Sequence, residues 1–321
     1  MATYFLNLKA FGRSNGSSAP GAAAYRAGER IRDERTGRLY DHTGRQDVLH
    51  KEILVPSEYA GLDMSWAKDR ANLWNAAEAA ESRKNARVAR EFLVALPVEL
   101  DLDGRVGLAR DFAKELADRY RFAVDVVVHA PRDFPGSDPR NFHAHLLATT
   151  REVDRNGFGA KTTFELGEST RKALGLGPSI EEFLRVRERW AAVTNEALRE
   201  AHIEARIDHR SLRAQGIDRE PRPWIPKGAF EAERRGYYSP VAERMRADYQ
   251  AREQARLEQS REPLAPGQAI SSIPEEKAAR PPSLEDVQRQ SAEKWRRARE
   301  ESAERPPENA RSRGRDNDFS L

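Results

Sequence analysis

The sequence predicts an α+β fold, with a mainly antiparallel sheet of about five strands and helices packed against it. Two runs rich in β-branched and aliphatic residues, 122–128 and 146–150, are separated by a polar loop, a pattern typical of a β-hairpin. Amphipathic helical patterns precede and follow this hairpin, at residues 108–116 and 180–203. We therefore expect the hairpin at the centre of the sheet and the helices packed against its faces.

The other elements follow from local patterns. Pro56 stops the strand predicted before it, and the alanine-rich segment 20–30 is predicted to be helical despite its glycines. The segment from the turn at residues 154–157 to residue 178 is expected to be irregular. The remaining predicted strands are 3–9, 48–56 and 90–97, and a further helix begins at residue 65.

Composition excludes several classes of protein. The chain of 321 residues has no cysteine, which excludes disulfides, thiolate metal sites and cysteine nucleophiles. No apolar stretch is long enough to cross a bilayer, and the first residues lack a signal-peptide pattern. We therefore expect no membrane insertion and a cytoplasmic location. Lys and Arg total 55 against 52 Asp and Glu, so any surface that attracts nucleic acid must come from local clustering.

A change of composition near residue 238 divides the chain. Beyond it, Arg, Glu, Ala, Gln and Pro dominate and aromatic residues are very few. We predict a folded domain at residues 1–238 and a charged tail at residues 239–321. The tail is expected to be a polar helix interrupted by prolines, with a disordered end around residues 311–315.

Three histidines cluster around the predicted hairpin. Strand side chains alternate between faces, so His143 and His145 project from one face. If the two strands pair antiparallel, His129 lies at the end of the first strand, beside His143 and His145. Single histidines at strand ends are usually solvated, but three neutral imidazoles in one patch can bind a divalent metal with open coordination positions. The pattern therefore favours a metal site, which many kinds of enzyme could use.

Three further candidates are more ambiguous on their residues alone. Tyr25 lies in the alanine-rich helix beside Arg26, where a tyrosine is most often half-buried packing and a catalytic role is the alternative. Glu91, near the start of a predicted strand, is either a solvated edge charge or a group that orients a metal-binding imidazole. Arg13 lies in the flexible polar segment 12–18, which on its residues alone is an ordinary loop.

Five segments in this order resemble the MobA/MobL family of plasmid mobilisation relaxases. They are Ala-Ala-Ala-Tyr-Arg-Ala-Gly-Glu ending at Glu29, Val-Leu-His-Lys-Glu-Ile-Leu-Val-Pro ending at Pro56, Arg-Glu-Phe-Leu-Val-Ala-Leu-Pro ending at Pro97, Asn-Phe-His-Ala-His ending at His145, and Asp-His-Arg-Ser ending at Ser211. The resemblance covers roughly residues 2–225 and leaves the tail outside it. Residues 41–43 depart from the pattern of the family, which commonly has an aromatic residue and a serine there.

The resemblance implies the HUH relaxase fold and an endonuclease that nicks one DNA strand at nic in the origin of transfer. Tyr25 would be the nucleophile, forming a reversible 5′-phosphotyrosyl adduct and rejoining the strand after transfer. The metal ligands would be His129, His143 and His145, with Glu91 orienting one of them. Arg26 or the metal would lower the pKa of the tyrosine, and Arg13 and Arg26 are candidate DNA contacts.

The choice of metal follows from the chemistry of the ligands, and the DNA partner follows from the resemblance. Imidazoles suit transition metals and phosphate oxygens suit hard cations, so Mn2+ is favoured, with Mg2+ as a substitute. The DNA partner would be single-stranded DNA at the origin of transfer with an adjacent inverted repeat. Relaxosome accessory proteins and a coupling protein are candidate partners of the tail.

Two alternatives remain open. The first is another HUH nuclease, such as a rolling-circle replication initiator or a single-strand transposase, although these usually place the tyrosine after the histidine motif. The second is a DNA-binding accessory protein that keeps the fold without cleaving DNA. A buried Tyr25, or histidines that fail to converge, would favour this second alternative.

Overall fold

A five-stranded antiparallel sheet with the histidine hairpin at its centre organises the protein. The computed structural model describes residues 2–132, 138–223 and 225–259. In chain order its strands are β1 (Leu6–Gly12), β2 (Arg30–Arg32), β3 (Leu39–Asp41), β4 (Val48–Leu54), β5 (Arg87–Ala95), β6 (Val124–His129), β7 (His143–Ala148), β8 (Arg151–Asp154) and β9 (Gly157–Lys161). The main sheet has the order β1-β5-β7-β6-β4, while β2-β3 and β8-β9 form two small hairpins. The predicted α+β fold, the number of strands in the main sheet and the central hairpin are confirmed.

Helices cover both faces of the main sheet. The helices of the described residues, in chain order, are α1 (Ala19–Ala27), α2 (Ser65–Lys68), α3 (Arg70–Ala79), α4 (Leu102–Tyr120), α5 (Glu168–Ala173), α6 (Ser179–Glu200), α7 (Lys227–Arg234) and α8 (Pro240–Gln259). One core contains Phe92, Phe112 and Trp190, which join the sheet to α4 and α6. The other core contains Trp74 and Leu147, which join the opposite face to α1 and α3.

Strand alternation decides which core each side chain enters. In β6 and β7, Val126 and Leu146 point to the face covered by α4 and α6. His129 and His145 differ from them by odd numbers of residues and therefore point to the face covered by α1 and α3. The histidines thus lie beneath the helix that contains Tyr25.

Two local predictions are wrong for identifiable reasons. The segment from the turn at residues 154–157 to residue 178 is not irregular, because it contains β9 and α5. β9 pairs with β8 around the predicted turn, where Asp154 Oδ1 accepts a hydrogen bond from Asn156 N (2.6 Å). The helix predicted from residue 65 is two helices, because the side chain of Asp69 caps α3 by accepting a hydrogen bond from Asn72 N (2.8 Å).

The compact unit of the chain extends from Met1 to Leu257. It includes α7 and most of α8, the polar helix expected in the tail, whose Ala242 is buried. The predicted boundary at residue 238 stays a prediction, and the disorder predicted around residues 311–315 lies outside the described residues. Within the described ranges, no helix combines the length and the apolar composition that a membrane span requires.

Candidate metal centre and tyrosine site

The register of β6 and β7 brings the three histidines together. His129 lies directly opposite His143 in the ladder, and His145 projects from the same face two residues further along β7. The ring centroids are 4.9 to 5.3 Å apart, and one ring nitrogen of each histidine lies within 4.8 Å of those of the other two. The predicted convergence of His129, His143 and His145 is confirmed.

Hydrogen bonds leave one ring nitrogen of each histidine with a lone pair. His143 Nδ1 lies 2.9 Å from the carbonyl oxygen of Asn141, and His145 Nδ1 lies 2.6 Å from Glu91 Oε1. His129 Nε2 lies 2.7 Å from the carbonyl oxygen of Arg26. Because these oxygens can only accept, the nitrogens facing them donate, and the other nitrogen of each ring carries the lone pair that a cation could bind. In His129 this nitrogen is Nδ1, which lies 3.2 Å from Arg45 Nη2.

Burial keeps these imidazoles neutral. It lowers the pKa of His129 to about 3, with His145 adding charge repulsion, and it lowers the pKa of His145 to about 4 against the opposing pull of Glu91. Burial also lowers the pKa of His143. Metal ligation needs neutral imidazole, so the donor set fits a divalent transition metal.

Glu91 occupies the middle of β5 and is buried, not solvated at an edge as its position near the start of the predicted strand suggested. Its Oε1 accepts hydrogen bonds from both His145 Nδ1 (2.6 Å) and Arg26 Nε (2.5 Å). Burial opposes the charge of Glu91, but these two hydrogen bonds outweigh it and lower its pKa to about 2. The carboxylate therefore lies where it can fix the orientation of His145, as expected from the resemblance.

Tyr25 lies in the last turn of α1, with 43 % of its surface exposed. Ser18 caps the start of the helix, because its Oγ accepts a hydrogen bond from Gly21 N (3.1 Å). Gly28 caps its end with a left-handed backbone (φ 62°), which favours glycine. The carbonyl oxygen of Arg26, the next residue, accepts the hydrogen bond from His129. One backbone contact thus joins the helix that contains the tyrosine to the histidine cluster.

The phenolic oxygen of Tyr25 is held by an arginine that the sequence did not single out. Arg132 Nη2 donates to Tyr25 Oη at 3.1 Å, and the Arg45 guanidinium lies 4.6 Å from the centre of the ring. Burial raises the pKa of Tyr25 and Asp47 adds to that effect, but Arg132 and Arg45 outweigh both, so the pKa lies below its usual value. The cations that lower this pKa in the structure are therefore Arg132 and Arg45. Arg26, one of the two groups expected to do so, points instead to Glu91, and the contribution expected of a metal stays a prediction.

The expected DNA contacts of Arg13 and Arg26 stay a prediction, and the structure places both side chains in largely buried positions. Arg26 is 7 % exposed, and its guanidinium donates to Glu91 and to the carbonyl oxygen of Ala22 (2.7 Å). The Arg13 side chain is 11 % exposed and donates to Glu78 Oε2 (2.9 Å) and to the carbonyl oxygen of Glu81 (2.8 Å). Both side chains are largely buried and bind protein oxygens, so neither guanidinium is presented to solvent in this structure.

Sequence reasoning also missed Arg45 and Asp47, which precede β4. Val48 pairs with His129, so the loop before β4 lies beside the end of β6, and the Asp47 carbonyl accepts from Ala130 N (2.8 Å). Pairing the two predicted strands end to end would have placed Asp47 near His129. Neither residue belongs to a recognisable motif, so only that pairing could have found them.

The fold and the site define a class of protein in which a trihistidine metal site on an antiparallel sheet lies beside an exposed tyrosine. The family model of MobA/MobL matches residues 17–235, and the chain belongs to the MobA/MobL family. Mobilization protein MobL of Acidithiobacillus ferridurans is 38% identical over 254 residues, which are 73% of this chain and 65% of that protein. The probable conjugal transfer protein TraA of Sinorhizobium fredii is 32% identical over 250 residues, which cover 73% of this chain and 22% of that protein. The chain thus spans less than two thirds of the length of either relative.

A solved structure described as "Molecular Basis of Vancomycin Resistance Transfer in Staphylococcus aureus" has a similar fold. The two chains are 29% identical with a TM-score of 0.53, and the match covers 65% of this chain and all of the other. This similarity extends over most of the compact unit and agrees with the family assignment.

Proposed function

We propose that the protein is a conjugative relaxase that nicks one DNA strand at nic in an origin of transfer and later rejoins it. The observation that carries the proposal is the hydrogen bond from His129 Nε2 to the carbonyl oxygen of Arg26. Because Arg26 directly follows Tyr25, this bond attaches the backbone beside the exposed tyrosine to the histidine cluster. Family membership supports it, and so do relatives named as mobilization and conjugal transfer proteins.

In the proposed reaction Tyr25 Oη loses its proton to solvent and attacks the scissile phosphorus. The Oη–P bond forms as the P–O3′ bond breaks, and the departing 3′ oxygen takes up a proton to become a 3′-OH. The adduct is a 5′-phosphotyrosyl ester, which keeps the transfer potential of the phosphodiester. Attack by a 3′-OH therefore reverses the step and rejoins the strand without ATP.

The chain would hold a divalent ion through His129, His143 and His145. A bound ion would supply charge neutralisation at the non-bridging phosphate oxygens. Three nitrogen donors favour a transition metal and phosphate oxygens favour a hard cation, so Mn2+ meets both requirements and Mg2+ is the substitute. Glu91 fixes the ring of His145 by accepting a hydrogen bond from its Nδ1–H.

The partners follow from the same proposal. Single-stranded DNA at the origin of transfer, with an adjacent inverted repeat, would be the substrate, and the reaction would take place in the cytoplasm. Relaxosome accessory proteins and a coupling protein remain candidate partners of the tail. A buried Tyr25 or scattered histidines would have favoured the alternative of a non-cleaving DNA-binding protein, and the geometry of this site supports neither condition.

A denaturing gel with labelled oligonucleotides tests the proposal. Single-stranded oligonucleotides that tile the DNA flanking the gene are incubated with wild type, with and without EDTA. We expect one oligonucleotide to yield a shortened 3′-OH product and a protein adduct, both abolished by EDTA and by Tyr25→Phe. Tyr237→Phe is the matched control, because Tyr237 is 68% exposed and lies outside the site. An adduct formed by Tyr25→Phe, or none formed by wild type with any oligonucleotide, would contradict the proposal.

A further inference from the structure

Two arginines and one carboxylate form a cage around Tyr25. These three residues are not among the candidate metal ligands, so their presence beside the tyrosine needs a separate explanation. The cage consists of Arg45, Asp47 and Arg132. Arg45 comes from the loop before β4 and Arg132 from the chain after β6, so two separate segments meet at the tyrosine. Arg45 also donates to the carbonyl oxygen of Tyr25 (2.6 Å), and thus contacts both the backbone and the ring of the tyrosine.

Asp47 holds both arginines. Its two carboxylate oxygens accept from Arg45 Nε (2.8 Å) and Nη2 (2.5 Å), and its Oδ2 also accepts from Arg132 Nε (2.9 Å). Burial opposes the charge of Asp47, but both arginines outweigh it and keep its pKa well below the ordinary range. The two arginines and the aspartate therefore leave a net positive charge beside the phenol.

The two arginines are placed for different tasks. Arg45 is largely buried, with 11% of its side chain exposed, and its Nη2 lies 3.2 Å from His129 Nδ1, so it also contacts the histidine cluster. The Arg132 side chain is 42% exposed and reaches the phenolic oxygen with Nη2 while its Nε binds Asp47. Of the two arginines, it is Arg132 that contacts the atom that would attack phosphorus.

We propose that Arg132 is a catalytic residue that donates a hydrogen bond to the attacking oxygen of Tyr25, and that Asp47 is a positioning residue that fixes Arg132 for this task. The inference rests on the proposed relaxase function. Arg132 stabilises the phenolate as the proton leaves, and its charge also faces the anionic phosphate as the Oη–P bond forms and the P–O3′ bond breaks. Asp47 prevents the guanidinium from turning away into solvent.

Among the residues that the structure describes, the charged and titratable groups that face the phenol come from two segments. They are Arg132 after β6, and His42, Arg45 and Asp47 in the loop between β3 and β4. The ring of His42 lies edge-on, with its centroid 5.2 Å from that of Tyr25. The arginines favour phenolate and Asp47 opposes it. Loss of Arg132 therefore raises the pH at which Tyr25 becomes reactive, whereas a purely structural Arg132 would leave the pH profile in place.

The experiment measures single-turnover adduct formation from pH 6 to pH 10, with saturating protein on the single-stranded oligonucleotide that wild type cleaves. We expect Arg132→Gln to form adduct about 10²- to 10³-fold more slowly at neutral pH, the range for loss of one transition-state donor. Its half-maximal rate should move up by about one pH unit. Arg132→Lys, which keeps the charge, should recover part of the rate. Asp47→Ala should slow the reaction and Asp47→Glu should restore it in part.

The control is Arg189→Gln, which removes an arginine with a side-chain exposure of 49% that pairs with Glu115 on another face of the molecule. Thermal unfolding and oligonucleotide affinity are measured for every variant. A rate for Arg132→Gln within threefold of wild type, an unmoved pH profile, or a loss confined to DNA affinity overturns the inference while the relaxase proposal stands. Failure of wild type to form adduct overturns the proposed function, and this inference with it.

Discussion

At the residue scale, Glu91 is the buried carboxylate that links Arg26 to His145. Glu91→Gln keeps an acceptor of the same shape but loses the charge that strengthens the imidazole as a ligand. We expect it to weaken Mn2+ binding by about 10- to 100-fold, the usual effect of losing the partner of a ligating histidine. Glu91→Ala leaves the Arg26 charge buried without its partner, and should lower the free energy of unfolding by roughly 3–5 kcal/mol. Calorimetric titration with Mn2+ and urea unfolding measure the two effects.

The contribution of Glu91 to the free energy of unfolding depends on pH, and its direction follows from the lowered pKa. The pKa of Glu91 is lowered from 4.5 to about 2, so its stabilising contribution is present above about pH 5 and is lost as pH falls toward the folded-state pKa. In EDTA, the difference in unfolding free energy between wild type and Glu91→Gln should therefore shrink from about pH 5 to about pH 3.

Glu165→Gln is the control for both measurements, because Glu165 is a buried carboxylate paired with Arg90 (2.6 Å) away from the histidines. Its effect should be confined to stability. If Glu165→Gln weakened Mn2+ binding as much as Glu91→Gln, the special link from Glu91 to His145 would be disproved.

The three metal-binding candidates were predictable at this scale and the arginine cage was not. His143 and His145 share a face by strand alternation alone, and His129 follows once two adjacent strands are paired. Arg45 and Arg132 lie in irregular segments, where no periodicity fixes the direction of a side chain. Their approach to Tyr25 depends on the pairing of β4 with β6, two strands that are far apart in the chain.

At the element scale, the position of α1 depends on Gly21. A Cβ at this residue would lie 2.7 Å from the nearest atom of the Tyr40 ring, in β3. Alanine usually stabilises a helix relative to glycine, but this overlap should reverse the sign. We expect Gly21→Ala to lower the free energy of unfolding by about 1–3 kcal/mol and to slow adduct formation by displacing Tyr25. Urea unfolding and the gel assay measure the two effects.

Gly107 provides the comparison, because it lies within α4 and a Cβ there meets nothing within 4 Å. Gly107→Ala should raise the free energy of unfolding by roughly 0.5–1 kcal/mol and leave adduct formation unchanged. In a Tyr40→Ala background, Gly21→Ala should lose most of its cost. Equal effects of the two alanine substitutions in wild type would show that the Tyr40 ring does not restrict α1.

At the scale of the whole molecule, each strand of the central hairpin serves two tasks through its two faces. Val126 and Leu146 pack in the core shared with α4 and α6, while His129 and His145 on the opposite face form the candidate metal centre. The sequence predicted that His143 and His145 share one face, since this follows from alternation. It could not predict the strand order β1-β5-β7-β6-β4, because pairing between distant segments is decided by packing of the complete chain.

The same architecture makes metal binding a measure of global stability. The ligands come from two strands of the central sheet, and unfolding separates them, so an ion that binds the folded chain raises the unfolding temperature. At a free Mn2+ concentration about 100 times the dissociation constant, stabilisation should be about 2.7 kcal/mol. For a unit of this size that corresponds to a rise in Tm of roughly 5–10 °C, measured by scanning calorimetry.

EDTA should remove the rise, and His143→Ala should abolish most of it. His202→Asn should retain it, because His202 is exposed outside the cluster in a left-handed conformation (φ 56°) that asparagine tolerates. An unchanged Tm of wild type at every Mn2+ and Mg2+ concentration would show that the three imidazoles do not form a metal site for either ion.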